Sequence, residues 1–485
     1  MYFNVYFVLY NKITCRKFIL KDFLTKVKGF INPFILFLPM KKDQVLKEKQ
    51  RALKVSISEG SANSFSAGVS GAYITPFALK LSSKEINIGI LSSVVGLIPP
   101  IAQLFGSKLM ESYSRKNIVL TATLWQAIMW LPLVTIAILK LFNIYPSALI
   151  YYFIIGYTII AALSGIMHPA WFSWMGDLVS EKERGKYFGK RIVILGIVEL
   201  LAVVIATYIL KVFENTTYAI LSFAIIFFLS FTSRLICHSI LKKQYSPHAK
   251  SRTSYGIKIL DLIRKNKNYR RFAIYQAFFN FALMIASPFF AVYMLKDLGF
   301  TYTQYIIVSM SGSVFYLIFT PLVGKFSDKY GNVKLLVIAN ALFAINPLLW
   351  IFIKSPALLV TLPQLVSGIA NAAAVLSFTN FSYDYLKKEE RGTGIAYANV
   401  FAGIGIFAGS LLGGILLNYL NISFINKFFF VFALAALLRA MVALFFLPRI
   451  KERKKVKRLP PMHVSVLHPF KSIHAEIEWA RHVFR

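Results

Sequence analysis

The chain has 485 residues and a formal net charge of +35, yet only 15% of its residues are charged and 57% are hydrophobic. Its mean hydropathy is +0.61. A soluble domain is about 45–50% apolar and about 25% charged, so composition excludes a soluble enzyme, a basic nucleic-acid binder on a water-soluble body and a disordered chain. Apolar and basic together describe an integral membrane protein whose basic residues gather on one side.

Residues 1–61 form an N-terminal extension. Its two apolar runs, 1–10 and 30–40, are each too short to cross a bilayer. It shows neither the longer apolar region nor the small-residue cleavage site of a signal peptide. Residues 1–39 read either as sequence upstream of a true start at Met40 or as an interfacial tether.

A helix that crosses the hydrocarbon needs about 20 mostly apolar residues. By that ruler the first half holds spans at 62–80, 88–109, 117–139, 145–170, 190–212 and 217–241. The second half holds spans at 271–295, 302–323, 334–353, 357–382, 394–418 and 424–447. The runs are continuously apolar, unlike the short alternating segments of a membrane barrel. The connections after even-numbered spans carry most of the loop Lys and Arg, among them Arg115, Lys116, Lys190, Arg191, Lys325, Lys329 and Lys334. The connections after odd-numbered spans carry few, such as Lys84, Lys296 and Lys354. Basic loops stay cytoplasmic, so both termini are expected inside a multi-pass plasma-membrane protein.

The middle connection, 242–270, is long and basic, and it divides the spans six and six. The tail, 448–485, opens with a basic cluster expected to attract anionic headgroups. Phe470, Ile473, Ile477, Ala480 and Phe484 then repeat at helical spacing, as in a surface-lying amphipathic helix. Cys15 and Cys237 suggest neither a disulfide framework nor metal-ligand spacing. No metal or cofactor is expected.

Three local patterns recur in the same order in both halves. Thr75, Pro76 and Phe77 in span 1 match Ser287, Pro288 and Phe289 in span 7. Glu111 to Lys116 after span 2 match Asp328 to Asn332 after span 8. Asp177 to Gly185 after span 4 match Asp384 to Gly392 after span 10. Each pair is separated by nearly the same length of chain, which indicates a duplicated six-helix unit. The fold expected is all-α integral membrane, with twelve transmembrane helices as two six-helix pseudo-repeats, 62–241 and 271–447. Repeats of this kind build transporters whose halves rock around a central site.

At the loop after span 8 the residues resemble a known family. Gly324, Asp328, Lys329 and Gly331 fit the loop signature G-x-x-x-D-[RK]-x-G-[RK]-[RK] of the major facilitator superfamily, with Asn332 and Val333 in place of the basic pair. The first-half copy keeps Arg115 and Lys116 but has Glu111 for Asp and Ser114 for Gly. The segments Asp177 to Arg184 and Asp384 to Arg391 resemble that family too. The resemblance implies conformational latches built from Glu111, Arg115, Asp177, Arg184, Gly324, Asp328, Lys329, Gly331, Asp384 and Arg391. Gly at a tight span-to-loop turn would tolerate unusual dihedrals. Asp328 would accept from a helix N-terminus or pair with a basic residue. The alternative is that these are ordinary caps and positive-inside residues.

Ionisable groups deep in a span are costly and usually functional. Glu199 stands near the middle of span 5, where desolvation favours its neutral form, and is a candidate proton carrier. Arg234 and Arg439 occupy corresponding places in spans 6 and 12. They either snorkel to headgroups or contact an anionic substrate. By resemblance, spans 1, 4, 7 and 10 line the cavity, which makes Asn63, Ser70, Tyr73, His168, Gln276, Asn280, Gln364 and Asn371 candidates, joined by Asn399 on span 11. Each alone is more often an interhelical hydrogen bond than a ligand. His168, Trp171 and Trp174 have the placement of an interfacial aromatic belt. Gly405, Gly409 and Gly413 on span 11 share one face and permit close helix approach.

The reading expected is a monomeric secondary transporter, not an enzyme. It moves a small solute by alternating access, with protons as the candidate coupling ion and anionic lipids as neighbours, and it binds no nucleic acid. The alternatives are a transporter-like sensor or lipid scramblase and, in another class, a membrane-embedded transferase. ATP-driven transport is disfavoured because no P-loop pattern is present.

Overall fold

A computed structural model describes residues 42–144, 147–179, 184–246, 266–386, 391–420, 425–452 and 456–457. Among these residues the regular structure is helical throughout, without strands. Residues 1–41 of the expected extension, most of the middle connection and the amphipathic tail lie outside the described residues. The six-plus-six arrangement lies within the compact unit Val55–Arg485.

The helices follow the expected order. The first half comprises span 2, Glu85–Ser112; span 3, Arg115–Ile128 continued by Trp130–Leu141; span 4, Leu149–Leu178; span 5, Arg184–Phe213; and span 6, Ala219–Lys242. The second half comprises span 7, Lys267–Met284 continued past a break by Phe289–Val292; span 8, Tyr302–Tyr330; span 9, Asn332–Phe352; span 10, Pro356–Thr361 and Pro363–Tyr385; span 11, Arg391–Tyr419; and span 12, Lys427–Phe446. Eleven helices are long and apolar enough to cross a membrane by length and composition. The twelfth, span 1, differs from expectation. Its helix begins at Lys42 rather than near 62, runs to Ser70, makes a tight turn at Gly71–Tyr73 and resumes as Ile74–Leu81. Its polar first turns dilute the apolar signal.

Polar caps start several helices. Ser114 accepts from the Asn117 N–H at 3.2 Å, and Asn266 accepts from the Tyr269 N–H at 3.1 Å. Thr301 and Gln304 close a reciprocal box. Each satisfies an amide that the first helical turn leaves without a partner.

The duplicated proline motifs mark breaks at matching places. Span 1 breaks just before Thr75 and Pro76, and span 7 breaks between Met284 and Phe289. Proline has no N–H and its ring clashes with the preceding turn, so a helix ends or bends there. Transporters built from repeats commonly carry such discontinuous helices.

Helices approach closely where side chains vanish, both within the second half and between the halves. Gly405, Gly409 and Gly413 of span 11 lie against the carbonyls of Ala277, Phe281 and Ile285 of span 7. Each partner is spaced by four residues, so one stripe meets one ridge, as the sequence pattern predicts. Span 11 also meets span 2, where Gly89 lies against Gly414, and Gly403 approaches Gly96 and Pro100.

One buried apolar cluster draws on both halves, with Phe77, Phe153 and Phe227 from the first and Ile285, Phe289 and Phe432 from the second. A second, around Phe272, Tyr275 and Phe343, lies wholly in the second half. Among the described residues, almost every polar contact that joins the halves lies nearer the odd-numbered connections. Glu85 bridges Lys296 at 2.8 Å and Lys427 at 3.4 Å. The Tyr302 N–H donates to Glu214 at 3.1 Å, the Tyr305 hydroxyl donates to the Ala72 carbonyl at 3.0 Å and Ser93 donates to the Phe407 carbonyl at 2.9 Å. The exception is Asn399, whose amide reaches Gln103 at 3.4 Å.

Candidate functional site

The candidate site lies inside the first six-helix unit, in the half nearer the basic connections. A cavity of about 300 Å³ there is lined by spans 1, 3, 4, 5 and 6. Its centre is Glu59, which is 4% exposed. Glu59 follows Ser56 and Ser58 and precedes Gly60 and Ser61, a run of small side chains that lets neighbouring helices close in. Asn63 lies four residues on, hence on the same helical face.

Span 5 brings Arg191 to this carboxylate. The guanidinium Nη2 lies 3.0 Å from Glu59 Oε1, and its Nε donates to the Ser56 carbonyl at 3.3 Å. The Trp171 indole of span 4 donates to the same Oε1 at 3.1 Å, and the Arg191 guanidinium stacks 4.6 Å from the Trp171 ring. The Cys237 thiol of span 6 lies 3.8 Å from Oε2. Gly60 makes this geometry possible, because a Cβ there would run into the Arg191 guanidinium.

Arg234, also on span 6, is 3% exposed. It donates to the Asn63 side-chain oxygen and, weakly, to the sulfurs of Cys237 and Met167 at 3.7 and 3.9 Å. Its Nε has no partner. Among the described residues no carboxylate forms an ion pair with it. A buried guanidinium satisfied by one amide and two sulfurs is costly. Around one carboxylate, two guanidinium groups leave one positive charge in excess.

Arg439 shows the contrast. It is 2% exposed and donates to the carbonyls of Phe343 and Leu283 at 2.8 Å each, with longer bonds to the Ala282 carbonyl and the Ser287 hydroxyl. Its bonds reach the broken region of span 7 and span 9, and it stitches both to span 12. Neither arginine snorkels to the headgroups.

The other expected site residues are distributed as follows. Asn63 is in the cavity wall, and His168 lines it with an exposed ring. Tyr73 is buried, donating to the Val203 carbonyl at 3.2 Å and touching the Thr207 hydroxyl at 2.7 Å, so it ties span 1 to span 5. Ser70 bonds its own helix at the Ser66 carbonyl. Glu199 lies apart from the cavity. Its carbonyl abuts Gly68, its side chain is exposed, and no described residue bonds its carboxylate. Gln276, Asn280, Gln364 and Asn371 belong to the second half. Asn280 and Asn371 bond backbone one turn earlier on their own helices, while the Gln276 Oε1 is buried without a partner. Trp171 and Trp174 do not form an interfacial belt. Trp171 binds Glu59, and the indole of the buried Trp174 donates to the Tyr245 carbonyl at 3.0 Å.

The expected latch residues sort by half. Arg115, buried, pairs with Asp177 at 2.7 Å and bonds Ser173. In the second half Asn332 takes the corresponding place and reaches Asp384 at 3.3 Å, while sharing bonds with Ser327 and Asn380. Glu111 and Asp328 are exposed. The side chains of Arg184 and Arg391 lie outside the described residues. The acid at the start of span 9 is Glu452, which accepts from the Val333 N–H at 2.9 Å, so Asp328 does not fill that role. Gly331 has φ +97°, a conformation that favours glycine. Gly324 lies inside the span 8 helix, so the turn argument fails for it. Lys329 gives its carbonyl to the Lys457 N–H at 3.1 Å, which draws the described tail onto this loop.

Sequence reasoning missed Glu59, because span 1 was expected to begin three residues later. The surrounding run of Ser and Gly was the available signal. Among the described residues no group of His, Cys, Asp and Glu could hold a metal ion.

Among curated proteins no sequence relative matches the chain. Solved structures do resemble it. The nucleoside transporter NupG superposes with a TM-score of 0.63 at 17% identity, covering 82% of this chain and 99% of its own. The D-xylose-proton symporter gives 0.63 at 14%, covering 84% and 99%. The xylose transporter XylE from E. coli, in a partially occluded inward-open state, gives 0.60 at 15%, covering 85% and 100%. Likeness at such identities establishes the fold. The sequence model of the Major Facilitator Superfamily matches residues 60–282 and 272–477, one match to each half. With both halves matched and the duplicated six-helix fold in place, the chain belongs to the major facilitator superfamily of membrane transporters.

Proposed function

We propose that this protein is a proton-coupled secondary transporter that carries a small solute by alternating access, with the coupling acid at Glu59. The observation that carries the proposal is the buried ion pair of Glu59 with Arg191 on the wall of a cavity. A carboxyl group there has two comfortable states. Ionised, it rests on Arg191 and the Trp171 indole. Neutral, it releases the guanidinium to another acceptor. A group whose protonation changes what its partner can bind links proton movement to solute movement.

The contacts between the halves support a state sealed at the odd-numbered connections. The basic connections support a cytoplasmic position for the opposite end and for both termini in a plasma membrane. In this reading the cavity is loaded or emptied from the cytoplasmic side in the state described, and breaking the Glu85 contacts precedes opening to the other side. Arg115 with Asp177 and Asn332 with Asp384 keep each half rigid while the halves move.

Uptake into proteoliposomes under an imposed pH gradient tests the reading. The solutes are xylose, uridine and small organic acids. Wild-type protein is expected to accumulate at least one of them only with the gradient. Glu59→Gln is expected to lose gradient-driven accumulation yet keep exchange of solute across the membrane, whereas Glu199→Gln keeps both. Gradient-driven uptake unchanged in Glu59→Gln rejects the coupling role. No flux of any solute favours a sensor or scramblase instead.

A further inference from the structure

We propose that the solute is a small monocarboxylate anion, bound through its carboxylate by Arg234 and Arg191 at the Glu59 cavity. The inference rests on the reading that this cavity is the transport site. Three observations on that site carry it.

The first is charge. Arg191 and Arg234 face one carboxylate, so the site is net positive and attracts an anion. The second is the state of Arg234. It is buried and lines the cavity, one of its donors is unpartnered, and its other partners are an amide and two sulfurs. Arg439, its counterpart in the second half, spends its donors on backbone carbonyls and a hydroxyl, which is how a purely structural guanidinium is satisfied here. A guanidinium binds a carboxylate in a matched two-pronged geometry. The third is the occupant already present. Glu59 places a carboxylate on Arg191, so the site is shaped for that group. The cavity of about 300 Å³ is at the small end of ligand sites, which suits a compact solute. Asn63 and His168 offer further polar contacts, and Val119 and Leu195 offer apolar ones.

The proton then follows from competition. When a solute carboxylate takes the guanidinium groups, Glu59 is left beside a second anion and binds a proton. When the solute leaves, Glu59 releases the proton and returns to Arg191. One proton travels with one anion. The titratable and charged groups that face Glu59 are Arg191 and Tyr187 from span 5, His168 from span 4, and Arg234 and Cys237 from span 6. Span 3 contributes only Val119 and Thr123.

Thermal stabilisation of the purified protein tests binding without requiring transport. The probes are lactate and benzoate, with lactamide and benzamide as uncharged partners, and xylose and uridine as neutral solutes. At least one carboxylate is expected to raise the midpoint, more strongly at lower pH, while its amide does not. Arg234→Gln is expected to weaken that binding by about tenfold or more, with partial recovery in Arg234→Lys. Glu59→Gln is expected to bind the carboxylate at least as tightly as wild type and without the pH dependence, an outcome that a merely structural role for Glu59 does not produce. This second variant keeps the test decisive if Arg234→Gln does not fold. The inference is overturned if neither carboxylate stabilises the wild-type protein, if the amides stabilise it equally, or if Arg234→Gln binds as wild type does. Carboxylate binding without gradient-driven uptake defeats the transport reading and leaves the anion site standing. Uptake of xylose or uridine unaffected by Arg234→Gln does the reverse.

Discussion

Arg234 and Arg439 show how one residue type, at equivalent positions of a duplicated unit, is put to two uses. Arg439 closes a network of backbone carbonyls around the break in span 7. Replacing it with Met removes the donor from the Phe343 carbonyl, to which Pro347, four residues on, has no N–H to offer, and weakens the bonding at Ala282 and Leu283. Unsatisfied buried groups cost about 1–3 kcal/mol each. Arg439→Met is therefore expected to lower the thermal-unfolding midpoint in detergent by several degrees, and a midpoint equal to wild type would remove the stitching role. Gly60 makes a second case at this scale. A side chain there displaces the Arg191 guanidinium, and overpacking a filled site costs about 1–3 kcal/mol. Gly60→Val is expected to abolish gradient-driven uptake while the protein still purifies as a folded monodisperse species. Full activity in that variant would mean that Arg191 does not need its place on Glu59.

At the scale of elements, the long apolar runs were legible in the sequence because each membrane helix must satisfy its own backbone and bury its own apolar length. Spans 2 to 12 fall where hydropathy places them. Span 1 starts earlier because a helix can continue past its apolar run through polar residues, of which Ser56 and Glu59 are buried, and nothing local announces that. The face formed by Gly405, Gly409 and Gly413 was legible as a close-approach surface, but its partner was not. The ridge of Ala277, Phe281 and Ile285 on span 7 has no distinguishing composition. Gly409→Leu is expected to push spans 7 and 11 apart and to reduce folded yield and thermal midpoint together. Gly409→Ala is expected to do the same to a smaller degree, and a midpoint equal to wild type in Gly409→Leu would show that the stripe is not the contact.

At the scale of the molecule, Glu85 holds the halves together at the odd-numbered connections through Lys296 and Lys427. Each partly exposed pair is worth about 1 kcal/mol at most. Losing one such contribution shifts a two-state population roughly fivefold. Glu85→Gln is expected to raise the population open at that end, seen as a longer distance between spin labels at Lys84 and Lys354. An unchanged distance distribution would show that the apolar cluster around Phe77 and Phe289, not the ion pairs, seals the end. Orientation is a matter for the same scale. Impermeant thiol labelling of intact cells is expected to reach a cysteine at Lys84 and not one at Lys325, and the reverse pattern would invert the topology.

The sequence by itself determined the membrane class, the number and order of the spans, their duplication, the proline breaks and the close-packing stripe. All of these are local or periodic properties, dictated by the length of chain needed to cross hydrocarbon and by the residue types that permit a break or an approach. Only the tertiary structure decided which polar groups work together. Glu59 meets Arg191 and Cys237, and Arg234 meets Asn63 across 171 residues of chain. The same structure leaves Glu199, the more conspicuous acid, outside that cluster. The energy of a buried charge depends on which partners the other helices bring to it, and that is fixed only when the five helices that line the cavity close around it.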